Sequence, residues 1–503
     1  MKKTDRAYRF LVYMLPAVLF FSYWPVIRLG ASESMNFELS LPLIWLVIFD
    51  VVAFGIMIKK KMLFKDCKKM WAWMLFPIFA TLSVLWSMNF LRGLLTAGIL
   101  WFIYFAGYAF WNLRSLFSGF GFKEKFWKVF FVSSLVACGW CFLQCVLDLA
   151  GVPRETSLMC AGCTYEMFGF PHPNGFAIEP QFMGNLLLAP AIISGWLITG
   201  PGNIFHLRPR PSGPSPRADG ANSRAAALRN AASLKYNCHP LLAISMFFVF
   251  AATIFLTFSR GAIYAFVVAM IFMVVMEGMR QKSWKVCKTF IIIVVAFLFT
   301  LNLQGIMAEV SSTNDTYATG VAKVLNHLSL GIIDVRSQNE EISSEETEAL
   351  ASEKTDEKSE EVEREAVFDG YVAESTDTRV RLTGAAIEVW KKDFKTVMLG
   401  VGLGGAGQAL YVNGLSPAPK EIVQNEYASL LLETGLVGIV LLILTIVLII
   451  RVMLKSRAAS MLLALVVAYG VTLLFFSGLP NALQIYLLPA IFISLCGKSS
   501  YRK

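Results

Sequence analysis

Arg260 stands in a Ser259-Arg260-Gly261 turn between two apolar segments. A guanidinium there is costly unless it serves a site or reaches the lipid headgroups. Arg379 and Arg381 precede a short helical pattern whose apolar residues are Ala385, Ile387, Val389 and Trp390. A run of Gly400, Gly402, Gly404, Gly405 and Gly407 follows, too rich in glycine for a regular element and suited to close backbone approach. Gln424 and Asn425 then stand at the foot of a long apolar helix. Guanidinium forks hold oxyanions in fixed geometry, while side-chain amides donate and accept hydrogen bonds without taking a proton at neutral pH. Glu179, ahead of Pro180 at the start of another apolar segment, is a carboxylate that partial burial would push into the range useful to a general base. His172, in the stretch FGFPHPNG, is a second candidate for proton transfer.

Each of these residues also has a plainer reading. Arg260 could snorkel to lipid phosphate, and Arg379 or Arg381 could be a solvated loop charge. Glu179 suits the positive end of a helix macrodipole, and a histidine between prolines is usually inert. Arg92, at another span start, is either an interface anchor or a further cation on the same face.

The elements that must position these groups are membrane spans. In 503 residues the apolar share is 56% and the charged share 16%, far from the soluble average, so the chain reads as an all-α polytopic membrane protein. Apolar segments near 10–27, 41–58, 71–87, 93–111, 127–149, 181–199, 241–258, 262–276, 289–305, 435–453, 459–476 and 481–497 give about twelve spans. With both termini in the cytoplasm, most of the 45 lysines and arginines fall in or beside the cytoplasmic segments and most acids fall outside. The net charge of +10 therefore reports topology, and nucleic acid is not a partner.

Three regions follow: a bundle of nine spans over 1–305, a large extracytoplasmic loop over 306–434, and three last spans with a tail over 435–503. The loop 200–240 reads as a flexible basic cytoplasmic linker. In the large loop, 335–377 is acidic and reads as disordered or as a solvated helix, whereas 378–434 has apolar periodicity and is expected to be ordered against the membrane. Cys160 and Cys163 share a polar loop without a second ligand pair, so no metal site is expected there. Asp50 within a span and Asn481 at the start of the last are intramembrane polar groups outside the expected site. Trp24, Trp71, Trp86 and Trp390 read as interface tryptophans, with sugar stacking open to Trp390 alone.

Four local patterns occur in order across residues 80–440: LSVLWSMN at 82–89, GFAIEPQFMGNLLL at 175–188, TFSRGA at 257–262, and the series from Arg381 through GVGLGG to QNEY and LLETGLVG at 438. Their order and shared placement on the outer face resemble the O-antigen ligase and polymerase family of C-type membrane glycosyltransferases. That resemblance implies a glycosyltransferase C-like fold in the bacterial cytoplasmic membrane. The donor would be an oligosaccharide on a polyprenyl diphosphate and the acceptor a glycan, without metal or other cofactor; other polysaccharide-assembly membrane proteins would be its neighbours. It implies Arg260 and Arg381, or Arg379 in place of Arg381, as diphosphate ligands, Glu179 as base, His172 as a further candidate, and Gln424 with Asn425 on the acceptor sugar. The chain departs from the family in two places: Gln181 replaces a serine, and Gln424 replaces the histidine of the ligases. Polymerisation of a surface polysaccharide is favoured over ligation because that histidine is missing. A lipid-linked glycan transporter and a catalytically inactive binding relative are the rivals, the former disfavoured by the lack of an internal repeat.

Overall fold

The computed structural model describes residues 3–21, 27–32, 35–64, 67–118, 121–159, 171–199, 240–281, 287–311, 316–330, 377–419, 421–456, 458–477 and 482–496. The expectations for Cys160, Cys163, Trp24, Asn481, the basic linker and most of the acidic insert fall outside these residues. Among the described residues, helices dominate. Those of the bundle are Lys3–Phe20, Leu41–Lys59, Cys67–Ser83, Phe90–Asn112, Phe122–Leu149, Pro180–Thr199, Pro240–Leu256, Arg260–Gln281, Cys287–Ser311, Glu426–Leu454, Ala459–Thr472 and Leu483–Cys496. Seven helices are long and apolar enough to cross a membrane, and four shorter apolar ones lie at Ala72–Trp86, Leu241–Leu256, Ala459–Thr472 and Leu483–Cys496. A polytopic helical membrane protein is the result.

The expected first span, 10–27, is displaced. Its helix runs from Lys3 to Phe20, and Ile27 already belongs to an antiparallel hairpin of Ile27–Ser32 with Met35–Leu39. The basic N-terminus can join the helix because Asp5 pairs with Lys60 at 2.9 Å while Tyr8 and Val12 are buried in the core. The hairpin is the one departure from an all-helical fold among the described residues.

The bundle interior is rich in aromatic side chains. Phe130 and Phe492 meet edge-on at 5.5 Å, and Trp127 stacks on Phe492 at 5.3 Å. Apolar burial discriminates little between protein and lipid tails, so this interlocking supplies specificity through packing. Hydrogen bonds tie each end of the bundle. At one end Tyr108 donates to the carbonyl of Leu63 at 2.8 Å and Ser456 to that of Cys496 at 3.2 Å. At the other, Gln181 donates to the carbonyl of Phe475 at 3.0 Å, and the Glu426 amide to that of Leu473 at 2.9 Å. The second end carries the sequence motifs.

Three shorter helices, 377–390, Phe394–Leu399 and Ala406–Val412, pack on that end. Leu382, Ala385, Ala386 and Val389 form the buried stripe of the first at helical spacing and join Ala409, Leu410 and Leu432 in a separate small core. The ordered part of the large loop is thus a folded cap. Helix Tyr317–Leu328, capped by the Thr316 side chain on the Thr319 amide, lies on the same end. A methyl added at Gly320 would stand 2.5 Å from Ala308 Cβ, so this helix crosses Cys287–Ser311 as closely as backbone permits.

Candidate functional site

Helix Pro240–Leu256 ends one residue before a tight turn. Phe258 sits there at φ 51°, a left-handed conformation unfavourable for a bulky residue, and the chain restarts as a helix at Arg260. Two histidines hold the turn. A carbonyl oxygen only accepts, so each ring donates through Nε2: His172 to the carbonyl of Thr257, and His327 to that of Phe258 at 3.1 Å. Both rings also meet the edge or face of Phe258, with centroids 5.3 and 5.9 Å away. Arg260 itself is only 6% exposed. Around it Gly184 fits against the turn, because a methyl there would lie 2.7 Å from Ala262 Cβ.

Burial, and after it the positive charge of Arg260, push the His327 imidazole down to about 3, against the opposing pull of its bond to the Phe258 carbonyl. His172 and Arg379 act on it in the same direction as Arg260. The turn, both histidines and Arg379 therefore form one electrostatic neighbourhood.

Arg379 and Arg381 both lie inside helix 377–390 rather than ahead of it. Two residues along a helix rotate roughly 200°, so they point to opposite sides. Arg379 shares the face of Leu382 and Ala386, is half-buried, and donates from Nε to Gln424 Oε1 at 2.8 Å. Arg381 is exposed on the other side. Arg260 and Arg379 are thus the two arginines whose charges both act on His327.

The glycine run is used as backbone. Gly402 at φ 91° turns the chain against the end of Cys67–Ser83, where a methyl would stand 2.4 Å from the Ser87 Cα. Ser87 donates to the carbonyl of Leu403 at 2.8 Å, the Leu403 amide donates to Ser83 Oγ at 3.1 Å, and the Leu403 side chain is buried among Phe76, Val84 and Leu100. The polar residues of the 82–89 pattern are therefore the dock for the glycine run, and Asn89 caps the next helix by accepting from the Arg92 amide at 3.1 Å. On the other side, helix Glu426–Leu454 breaks at Gly435, φ 63°. The break frees the carbonyls of Leu432 and Glu433 to accept from the amides of Val401 and Gly402, each at 2.9 Å. A polar cleft opens beside this junction, lined by Arg92, Glu426, Ser429, Glu433 and Ser477 among others. Ser477 donates to Glu426 Oε2 at 3.0 Å, and the buried Glu433 accepts from the Ala406 amide at 3.4 Å.

The remaining expected residues take simpler positions. Glu179 is exposed, not partly buried; it is the last residue before Pro180–Thr199, and its carbonyl accepts from the Phe182 amide at 3.1 Å. Asn425 caps Glu426–Leu454 by accepting from the Ala428 amide at 3.2 Å. Trp390 donates its indole N–H to the carbonyl of Val397 at 3.1 Å, a structural use. Asp50 is buried in the bundle within electrostatic reach of Tyr8. Sequence reasoning passed over His327, Glu426 and Glu433. The Thr316 cap with Gly320, Val324 and His327 at helical spacing was the signal for the first. Among the described residues no group of three or more histidines, cysteines, aspartates or glutamates could hold a metal ion.

These features define a polytopic helical membrane protein whose one bundle end gathers a buried arginine turn, a second arginine on a folded cap, and a polar helix start. Residues 245–443 match the family model described as O-antigen ligase, and that match supports the O-antigen ligase and polymerase family for this chain. A membrane enzyme acting on polysaccharide is the class it supports. No curated protein matches the chain. The matched stretch holds Arg260, His327, Arg379 and Gln424, whereas His172, Glu179 and the 82–89 pattern lie outside it.

Proposed function

We propose that the protein transfers a glycan from a polyprenyl diphosphate to a sugar hydroxyl of an acceptor glycan at the outer face of the cytoplasmic membrane, and that it thereby lengthens a surface polysaccharide. The observation that carries this reading is the burial of Arg260 at a helix start in one electrostatic neighbourhood with Arg379. A guanidinium fixed at a helix start suits the negative charge that develops on a departing diphosphate.

In the transfer, the acceptor oxygen bonds to the anomeric carbon as the bond from that carbon to the phosphate oxygen breaks. The electron pair leaves with the diphosphate, and Arg260 and Arg379 neutralise it by charge-assisted hydrogen bonds. Two arginines fill the place a divalent cation would take, so the scheme uses no metal. The hydroxyl proton passes to a carboxylate. Glu179 is that base, since His172 is engaged with Thr257. Gln424 holds Arg379 through its oxygen and keeps its amide hydrogens for an acceptor hydroxyl. Asn425 shapes the site by capping its helix, and the exposed Arg381 adds positive charge at the approach. The lipid tail lies between spans.

Polymerisation is preferred to ligation because the ligase histidine is a glutamine here. Deletion separates the two: loss of a polymerase leaves single repeats on the final acceptor, whereas loss of a ligase leaves long chains on polyprenyl diphosphate. In cells, Arg260→Ala should abolish long-chain polysaccharide at unchanged protein level. Wild-type chain length in that strain would refute the phosphate role, and uptake or flipping of the lipid-linked glycan without chain growth would favour transport.

A further inference from the structure

The two buried histidines converge from separate chain segments on consecutive carbonyls of one turn. His172 comes from the stretch before Pro180–Thr199, and His327 from the last turn of Tyr317–Leu328. That last turn is itself fixed, because Tyr264 donates to the carbonyl of Leu328 at 2.5 Å. Tyr264 lies one turn beyond Arg260 on the same helix, so the end of Tyr317–Leu328 is tied both to the turn ahead of Arg260 and to the first turn of helix Arg260–Gln281. Between them Phe258 is kept in a left-handed conformation that a free chain would leave.

A base role for His327 fits poorly. Its Nε2–H is committed to a carbonyl, it is 5% exposed, and a positive neighbour opposes its protonation. A neutral donor is what the geometry calls for. A lysine in its place would bring a second cation against Arg260, and an aliphatic residue would leave the Phe258 carbonyl without its imidazole.

We propose that His327, backed by His172, is a positioning residue: it locks the strained Thr257–Phe258 turn so that the Arg260 guanidinium is held in place for an anionic lipid diphosphate. This inference rests on the reading that Arg260 binds the diphosphate. It adds a residue that never touches substrate yet sets affinity through another.

The test uses the full-length protein in detergent with farnesyl diphosphate as probe and farnesol as control. Wild-type protein should bind the diphosphate at least tenfold more tightly than the alcohol, and Arg260→Gln should remove that preference. Equal binding of the two probes by wild-type protein would sink the diphosphate reading itself. Given the preference, His327→Ala should weaken diphosphate binding about tenfold without changing farnesol binding, and His327→Gln, which retains a donor, should recover most of it. In an Arg260→Gln background, His327→Ala should cost nothing further, because the histidine acts through the arginine. Unchanged affinity in His327→Ala, or an additive loss in the double variant, would overturn the positioning role while leaving the diphosphate reading intact. If His327→Ala does not fold, His327→Leu and His172→Leu, neither of which retains a donor, serve the same cycle, and affinity equal to wild type in both would have the same overturning force.

Discussion

The glycine cradle at 400–407 and the arginine turn at 257–260 both bring distant segments together at one end of the bundle, but by opposite means. The cradle is made chiefly of main chain: amides and carbonyls of Val401, Gly402 and Leu403 engage Ser83, Ser87, Leu432 and Glu433, with the Glu433 carboxyl accepting from the Ala406 amide beside them. The turn is made of side chains: two imidazoles fix its carbonyls and a buried guanidinium is its product. A region built from backbone fails when any Cβ is added. One built from side chains fails in function when a single donor or charge is removed, while the fold persists.

The largest expected effect is on the cradle. Gly435→Ala and Gly402→Ala each add a methyl 2.4 Å from main-chain atoms at positive φ, and should cost more than about 3 kcal/mol, seen as loss of the monodisperse species in detergent size-exclusion chromatography. A fully folded, active Gly435→Ala protein would break the comparison at its strongest point. Next, Arg260→Gln or Arg379→Gln should lower glycan transfer about 100-fold or more with the melting temperature little changed. Arg379→Lys should not restore activity, because a lysine cannot supply both the Nε bond to Gln424 and a phosphate contact. Leu403→Ala should cost about 2–4 kcal/mol through the cavity left among Phe76, Val84 and Leu100.

A smaller effect concerns pH. His327 binds a proton in the unfolded chain near its ordinary value of 6.5 but in the folded protein only near 3. Its contribution to stability is therefore full above about 6.5 and is lost as pH falls toward 3, so the melting temperature should decline across that window and decline less in His327→Gln. The smallest change is expected of Arg381→Ala, which should alter transfer less than about twofold, since its side chain is exposed on the far face of helix 377–390.

That last contrast also shows what the sequence could and could not convey. Hydropathy located most of the apolar helices to within a few residues, because long apolar runs have few other uses, although the helix expected from 435 already begins at Glu426. It failed at the first span, where the ion pair of Asp5 with Lys60 lets a basic stretch join the helix. The glycine run was legible as close backbone approach, but its partner was not: the serines of 82–89 are more than three hundred positions away. Arg379 and Arg381 were interchangeable only while their segment was read as a loop; helical rotation separates them. His327 carried a local signal in the Thr316 cap and the helical spacing after it, but its stretch lies between a span and the acidic insert, with no motif to tie it to the arginine turn. The partial burial expected of Glu179 gave way to exposure, because a carboxylate before proline at a span start carries the same sequence signature whether its side chain is covered or not.

Glycan transfer by this scheme requires the lipid diphosphate to sit at the two arginines. A density map of the full-length protein loaded with undecaprenyl diphosphate should place the two phosphates within hydrogen-bonding distance of both the Arg260 and Arg379 guanidinium groups, with the turn at Phe258 unchanged. Phosphates bound at the opposite end of the bundle, or held by Arg381 and Arg92 with Arg260 still buried away from them, would contradict it.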